Sequence, residues 1–244
     1  MRSSVVGEER RSARFHAKRR FLSARLAAAN DRIWNHPQAA RLYPSVLFRA
    51  HCISRASVPL LFTAMARLES LRDHEPAAVG LIEYLTQLAA EETGHDEWLL
   101  EDLEGLGIAR QEVLSRVPPI AVASLVGGQY YWVLHHHPVA VLGFIGVLEA
   151  DPPSPEKVED AIRRTGLPRT AFRSFLRHSV IEPAHNRLFD HALDTAPLTD
   201  DHLALVGVSM ISAVHLLSVS AEEIVDLYEI KTSGAAPPPE PLLC

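Results

Sequence analysis

From about Arg14 to Ile230 the sequence carries helix starts and stops, and almost none of the alternation or hairpin dipeptides of a β-strand. Stacked helices are the architecture open to such a chain. A first helix is expected from Arg14 to Trp34, ending at "NHP", and a second from Ser45 to Leu71 with Pro59 as a kink. A third begins near Pro76 and ends at "LEGLG", where Gly105 and Gly107 suit a stop. An apolar segment through "LVGGQYYWVLHHH" leads into "PVAVLGFIGVLEA", with Pro138 in a first turn. "SPEKVEDAIRRTG" reads as a short helix with Ser154 as N-cap, Pro155 at the first position and Gly166 as stop. A helix from Arg169 to Thr195 follows, and Thr199 caps a last one to about Ile230. The expectation is one all-α bundle of about seven helices over residues 14–230. A flexible basic N-terminus (1–13) precedes it and a disordered Pro-rich tail (231–244) follows it.

At 244 residues, 47% apolar and 22% charged, the chain can bury one substantial core and has the composition of a soluble globular protein. A net charge of −6 offers no handle for nucleic acid or an anionic membrane. Cys52 and Cys244 make no disulfide framework, and no apolar run of signal-peptide length follows the basic N-terminus. Both point to a reducing, cytoplasmic setting. The most apolar stretches are interrupted by "GG" and "HHHP", or by His202 and His215, and read as core helices rather than membrane spans.

Inside this helical frame, "HSVIEPAH" turns two imidazoles and a carboxylate one way. At about 100° per residue, Glu182 lies about 40° from His178, and His185 about 20° to the other side. "AAEETGHDEWLL" holds a second Glu-x-x-His, in which either Glu92 or Glu91 can share a face with His95. One such pair alone is an ordinary polar pair on an exposed helix. Two on two helices are the arrangement with which all-α carboxylate proteins hold two irons. Glu149, the lone acid ending "VAVLGFIGVLEA", is the best candidate for the added carboxylate, or else a boundary residue before "DPP": its burial is costly without a cation, and an anion there opposes the helix dipole. Nitrogen and oxygen donors without thiolates suit iron or manganese better than calcium, magnesium or structural zinc. Pro183 breaks a rule of helix interiors beside these residues.

In that order, "EETGHDEWLLEDLEGLG", the glutamate of "GVLEA" and "HSVIEPAH" resemble the haem-oxygenase-like diiron oxidases and oxygenases, often labelled iron-containing redox enzymes. The likeness runs from about Leu81 to Asp190. It implies Glu92, His95, Glu149, His178, Glu182 and His185 as metal ligands. Some members place the first glutamate seven residues before the histidine, here Leu88, so Glu92 takes that role with Glu91 as fallback. The resemblance further implies two Fe(II) ions, with manganese as the alternative, and dioxygen as co-substrate. The substrate would be an amino-acid-like or fatty-acid-like small molecule, changed by N-oxygenation, desaturation or oxidative carbon–carbon cleavage. An electron donor joins where the reaction consumes reducing equivalents, and a homodimer stays open. Asp96 and Asp190 are near enough in sequence to orient imidazoles.

Other features carry less. His135, His136 and His137 cannot all face one way on a helix; they suit a helix C-terminus, and one of them could line a pocket. Tyr130, Tyr131 and Trp132 read as core or pocket wall. Gly143 and Gly146 allow close helix packing or leave room for a ligand. His51 and Cys52 stand alone, and His16 is where a haem-binding relative would place its axial ligand. Three rival readings remain. A ferritin-like iron-handling protein would take Glu69 as its first acid and has no need of His178. A mononuclear site of His178, Glu182 and His185 leaves Glu92, His95 and Glu149 idle. A helical interaction module binds no iron at all.

Overall fold

The computed structural model describes residues 10–150 and 152–233; for residues 181–184 it describes the backbone alone. Among the described residues there are eleven α-helices and no strand. They are α1 (Arg11–Leu22), α2 (Ala24–Trp34), α3 (Ala39–Leu71), α4 (Ala78–Glu92), α5 (His95–Gly105) and α6 (Arg110–Ser115). Then come α7 (Ile120–His135), α8 (Val141–Leu148), α9 (Pro155–Thr165), α10 (Arg173–Thr195) and α11 (Asp200–Ser233). Short 3₁₀ turns, Pro138–Ala140 and Arg169–Phe172, precede α8 and α10.

The expected number of helices, about seven, is too small. Apolar periodicity continues across two breaks that it does not reveal. Ser23 ends α1, its amide and hydroxyl both bonded to the Arg19 carbonyl, so the expected Arg14–Trp34 helix is two. Gly94, at φ +92°, parts α4 from α5 within the expected third helix. The six-residue α6 adds one more where none is expected. Helix α3 starts at Ala39 rather than the expected Ser45 and carries Pro44 inside it. Other local signals act as expected. The Ser154 hydroxyl accepts the Lys157 amide, Gly166 closes α9 at φ +65°, and the Thr199 hydroxyl accepts the His202 amide at 3.2 Å. Helix α1 begins at Arg11, inside the segment expected to be flexible, and α11 runs on to Ser233. The expectations for residues 1–9 and 234–244 lie outside the described residues.

Two long helices, α3 and α11, organise the packing. Helices α4, α5 and α7 lie on α3; α2, α7 and α8 lie on α11; and α10 crosses α1, α4 and α5. Part of α11 has a mean hydropathy of 2.0 over 18 residues, long and apolar enough by composition to cross a membrane. Gly143 shows how closely α8 sits on α11, since a Cβ there would fall 2.2 Å from the Val206 carbonyl oxygen and 2.7 Å from the Met210 nitrogen. Gly146 lies under the Phe15 and Phe189 rings. Close packing, rather than room for a ligand, explains both glycines. One apolar cluster joins Leu60, Leu81, Leu88, Phe144, Phe189 and Met210. A second gathers Tyr43, Phe48, Leu99 and Phe172, with the Tyr43 and Phe172 rings stacked at 4.2 Å.

Where the second cluster meets α10, a buried carboxylate holds the helix start. Asp102 of α5 accepts the amides of Arg173 (3.1 Å) and Ser174 (3.0 Å) and the Ser174 hydroxyl. Burial pushes its pKa up against these hydrogen bonds. Two amides that a helix start leaves unpaired are thereby satisfied from 71 and 72 residues away in sequence. Asp102→Ala strands them, and should lower unfolding stability in urea by about 3 kcal/mol.

Candidate metal centre

The break at Gly94 sets the first pair of donors. Glu92 ends α4 and His95 begins α5, so they are not three apart on one continuous helix as the sequence suggests. Gly94 in the left-handed region turns the chain so that the His95 imidazole Nδ1 still reaches Glu92 Oε2 at 3.0 Å. Helix α10 brings His178, whose Nε2 lies 3.2 Å from His95 Nδ1. His178 Nδ1 donates to the Ser174 carbonyl at 2.9 Å, which fixes its proton there and leaves Nε2 bare toward the site. Burial lowers the His178 pKa, keeping it neutral.

The second set forms two helical turns further along α10. His185 Nδ1 is 2.9 Å from Glu149 Oε2 and 3.5 Å from Glu92 Oε1, and its Nε2 is 3.1 Å from Glu91 Oε2. The hydrogen bond to Glu149 raises the His185 pKa. Glu149 is buried at the end of α8, and its carbonyl accepts the Asn186 side chain at 2.9 Å. Glu92, His95 and His178 thus form one cluster, and Glu92, Glu149 and His185 another; within each, donor atoms lie inside 4.8 Å. Glu92 belongs to both. Glu91, the fallback, faces the outer nitrogen of His185, where it can orient the ring. The side chain of Glu182 lies outside the described residues.

Do these residues fit a metal pair? Donor spacings near 3 Å suit ligands of one ion, but also plain hydrogen bonds, and so do not decide. Glu92 Oε1 favours the pair: it is buried with no hydrogen-bond partner, His185 Nδ1 standing off at 3.5 Å, a costly state that a bound cation would relieve. The donor set fits.

A cavity of about 300 Å³ opens beside the centre, between the two apolar clusters. Leu61, Leu88, Phe144 and Ile145 wall one side and Leu99 and Phe175 the other, with Glu92, Glu149 and His178 at its edge. Ser54 and Ser174 add polar groups.

Comparison with known proteins follows the same lines. The model of a family described as iron-containing redox enzymes matches residues 45–204. The chain belongs to that family. Among solved structures, this iron-containing redox enzyme family member is similar to a domain of unknown function with a heme oxygenase-like fold from Shewanella denitrificans. The TM-score is 0.72 at 20% identity, over 92% of this chain and 94% of that one. A CADD-like protein of unknown function from Nostoc punctiforme gives 0.65 at 16% identity, over 88% and 98%. A TenA homolog from Pseudomonas syringae gives 0.59 at 8% identity, over 85% and 92%. The fold is therefore haem-oxygenase-like. No curated protein matches the chain.

Several expected residues lie elsewhere in this family member. His16 and Asp190 bond each other at 2.6 Å, which removes both from the centre. Glu69 is exposed and pairs with Arg72 at 2.9 Å. Tyr131, His135 and His136 are exposed, and neither Tyr130 nor Trp132 lines the cavity. Two aromatic residues escaped the sequence reading. Trp98 stacks on His95 at 4.0 Å, with the Arg177 guanidinium 4.5 Å from its ring centre. Tyr84 is buried on α4; burial, then the charges of Glu149, Glu92 and Glu91, hold its phenol well above the usual pKa. Their spacings, three from His95 and eight from Glu92, were the available signal.

Proposed function

We propose that this protein is a non-haem diiron oxidase or oxygenase that uses dioxygen to oxidise a small molecule held in the cavity beside Glu92, Glu149 and His178. One observation carries the reading: the two oxygens of Glu92 face two separate sets of donors, His95 with His178 and Glu149 with His185. Two Fe(II) ions held there, or manganese, would supply the electrons and the open coordination positions that dioxygen needs. The chain supplies the rest. Ser174 keeps the His178 proton on Nδ1, and Glu91 holds the far nitrogen of His185. Leu88, Leu99 and Phe144 exclude water and pack an apolar substrate body, while Ser54 offers a hydrogen bond to a polar end. That lining favours the fatty-acid-like end of the expected substrates. The reading places the enzyme in the cytoplasm, with an electron donor where the reaction consumes reducing equivalents.

The ferritin-like reading loses its first acid, since Glu69 is at the surface. The test is an anaerobic Fe(II) titration of metal-free protein, followed by mixing with dioxygen, for wild type, His178→Ala and Glu149→Ala. Two irons per chain are expected for wild type, oxidised rapidly. Each variant should hold one of them at least about a hundredfold more weakly. Two irons bound equally well by His178→Ala would favour iron handling, and a single iron the mononuclear site. No binding would end the proposal.

A further inference from the structure

A second set of metal-type donors lies at the other end of the Pro138–Leu148 segment from Glu149. Glu75 in the α3–α4 turn, His137 after α7 and His202 in the first turn of α11 offer donor atoms within 4.8 Å of one another. Glu75 Oε2 is 3.2 Å from His137 Nε2 and 3.4 Å from His202 Nε2. The other Glu75 oxygen accepts the Ala77 amide at 2.9 Å, which aims Oε2 at the imidazoles. The two rings stack with centroids 4.4 Å apart. His137 Nε2 is buried, yet no aligned hydrogen bond meets it. Burial and the neighbouring His202 lower the His137 pKa, which keeps the ring neutral.

We propose that Glu75, His137 and His202 form a tetrahedral site for a divalent transition metal of the zinc type, with water in the fourth position. Bonds of about 2.0–2.2 Å to nitrogen and oxygen put neighbouring corners of a tetrahedron about 3.3–3.5 Å apart. Both carboxylate–imidazole separations fall close to that. Two imidazoles and one carboxylate are a donor set that zinc takes. Binding has a local cost. His137 Nδ1 accepts the Val139 amide at 3.1 Å and His202 Nδ1 the Thr199 amide at 3.4 Å, which puts the proton on Nε2 in the metal-free chain. The metal takes Nε2, the proton moves to Nδ1, and both contacts break, each lowering affinity about five- to tenfold. Arg67, the cationic neighbour of His137, opposes binding further. The gain is a staple across three elements. His202 starts the helix whose Val206 and Met210 press on Gly143 of α8, so the ion would brace the frame that holds Glu149.

Co²⁺ and Zn²⁺ titrations of metal-free full-length protein test this, with Co²⁺ absorption reporting tetrahedral geometry. Wild type should show one tetrahedral Co²⁺ per chain that Zn²⁺ displaces, together with a rise in Tm on binding. Glu92→Ala should keep that signal. His202→Ala and the milder Glu75→Gln should each weaken it at least about a hundredfold. The proposal is overturned if wild type shows no tetrahedral Co²⁺, if Glu75→Gln leaves the signal intact, or if the signal disappears with Glu92. Loss of iron binding at the cavity would leave this result untouched, so the two readings fail separately.

Discussion

Glu92→Ala should remove iron from both halves of the proposed centre at once. Among the described donors every other one serves a single cluster, whereas Glu92 Oε2 faces His95 and Oε1 faces His185. Loss of a residue that only orients a ligand costs about 10–100-fold in metal affinity, so loss of a shared ligand should exceed a hundredfold for each ion. The fold itself should gain rather than suffer. The substitution removes a carboxylate oxygen that is buried without a hydrogen-bond partner, so metal-free Glu92→Ala should be at least as stable as metal-free wild type. Iron titration and urea unfolding of the same samples separate the two effects. Loss of one ion only would show that Glu92 is not shared.

Gly143→Ala should be the most damaging glycine-to-alanine change among the described glycines of the bundle. Its Cβ would lie 2.2 Å from a main-chain oxygen and 2.7 Å from a main-chain nitrogen of α11, and backbone cannot rotate away as a side chain can. The helices must separate, at a cost of about 3 kcal/mol or more. Helix α8 would carry Glu149 with it, so residual iron affinity should fall as well. Gly146→Ala meets the ring ends of Phe15 and Phe189, which can tilt, and should cost less. Gly80→Ala on α4, with open space around it, is the control and should stabilise slightly. Thermal unfolding of the three ranks them directly; equal losses would mean that α8 can slide on α11.

The all-helical class and most helix ends were legible because capping and stop chemistry is local: Ser154, Gly166 and Thr199 act within a turn of their own positions. The break at Gly94 was not. A Glu-x-x-His spacing looks the same on a continuous helix and across a left-handed glycine, and only the backbone angle tells them apart. Glu149 was legible because an acid ending an apolar helix is a local misfit. The adjacent Glu91 and Glu92 could not be ranked, since both reach His185 from the end of α4, one at each ring nitrogen. Glu75, His137 and His202 come from three segments with no shared spacing. Their meeting is a product of how α4, α7 and α11 dock, which residue order does not encode locally.

The anchoring of α10 by Asp102 joins the life of the centre to a particular opening event. The Ser174 amide is held by that carboxylate, and the Ser174 carbonyl holds the His178 proton. Unwinding of the first turn of α10 from α5 therefore frees a helix start and a site imidazole in one motion. In the proposed centre, the ion beside His95 and His178 would lose one of its donors whenever that turn undocks, however tightly the others are held.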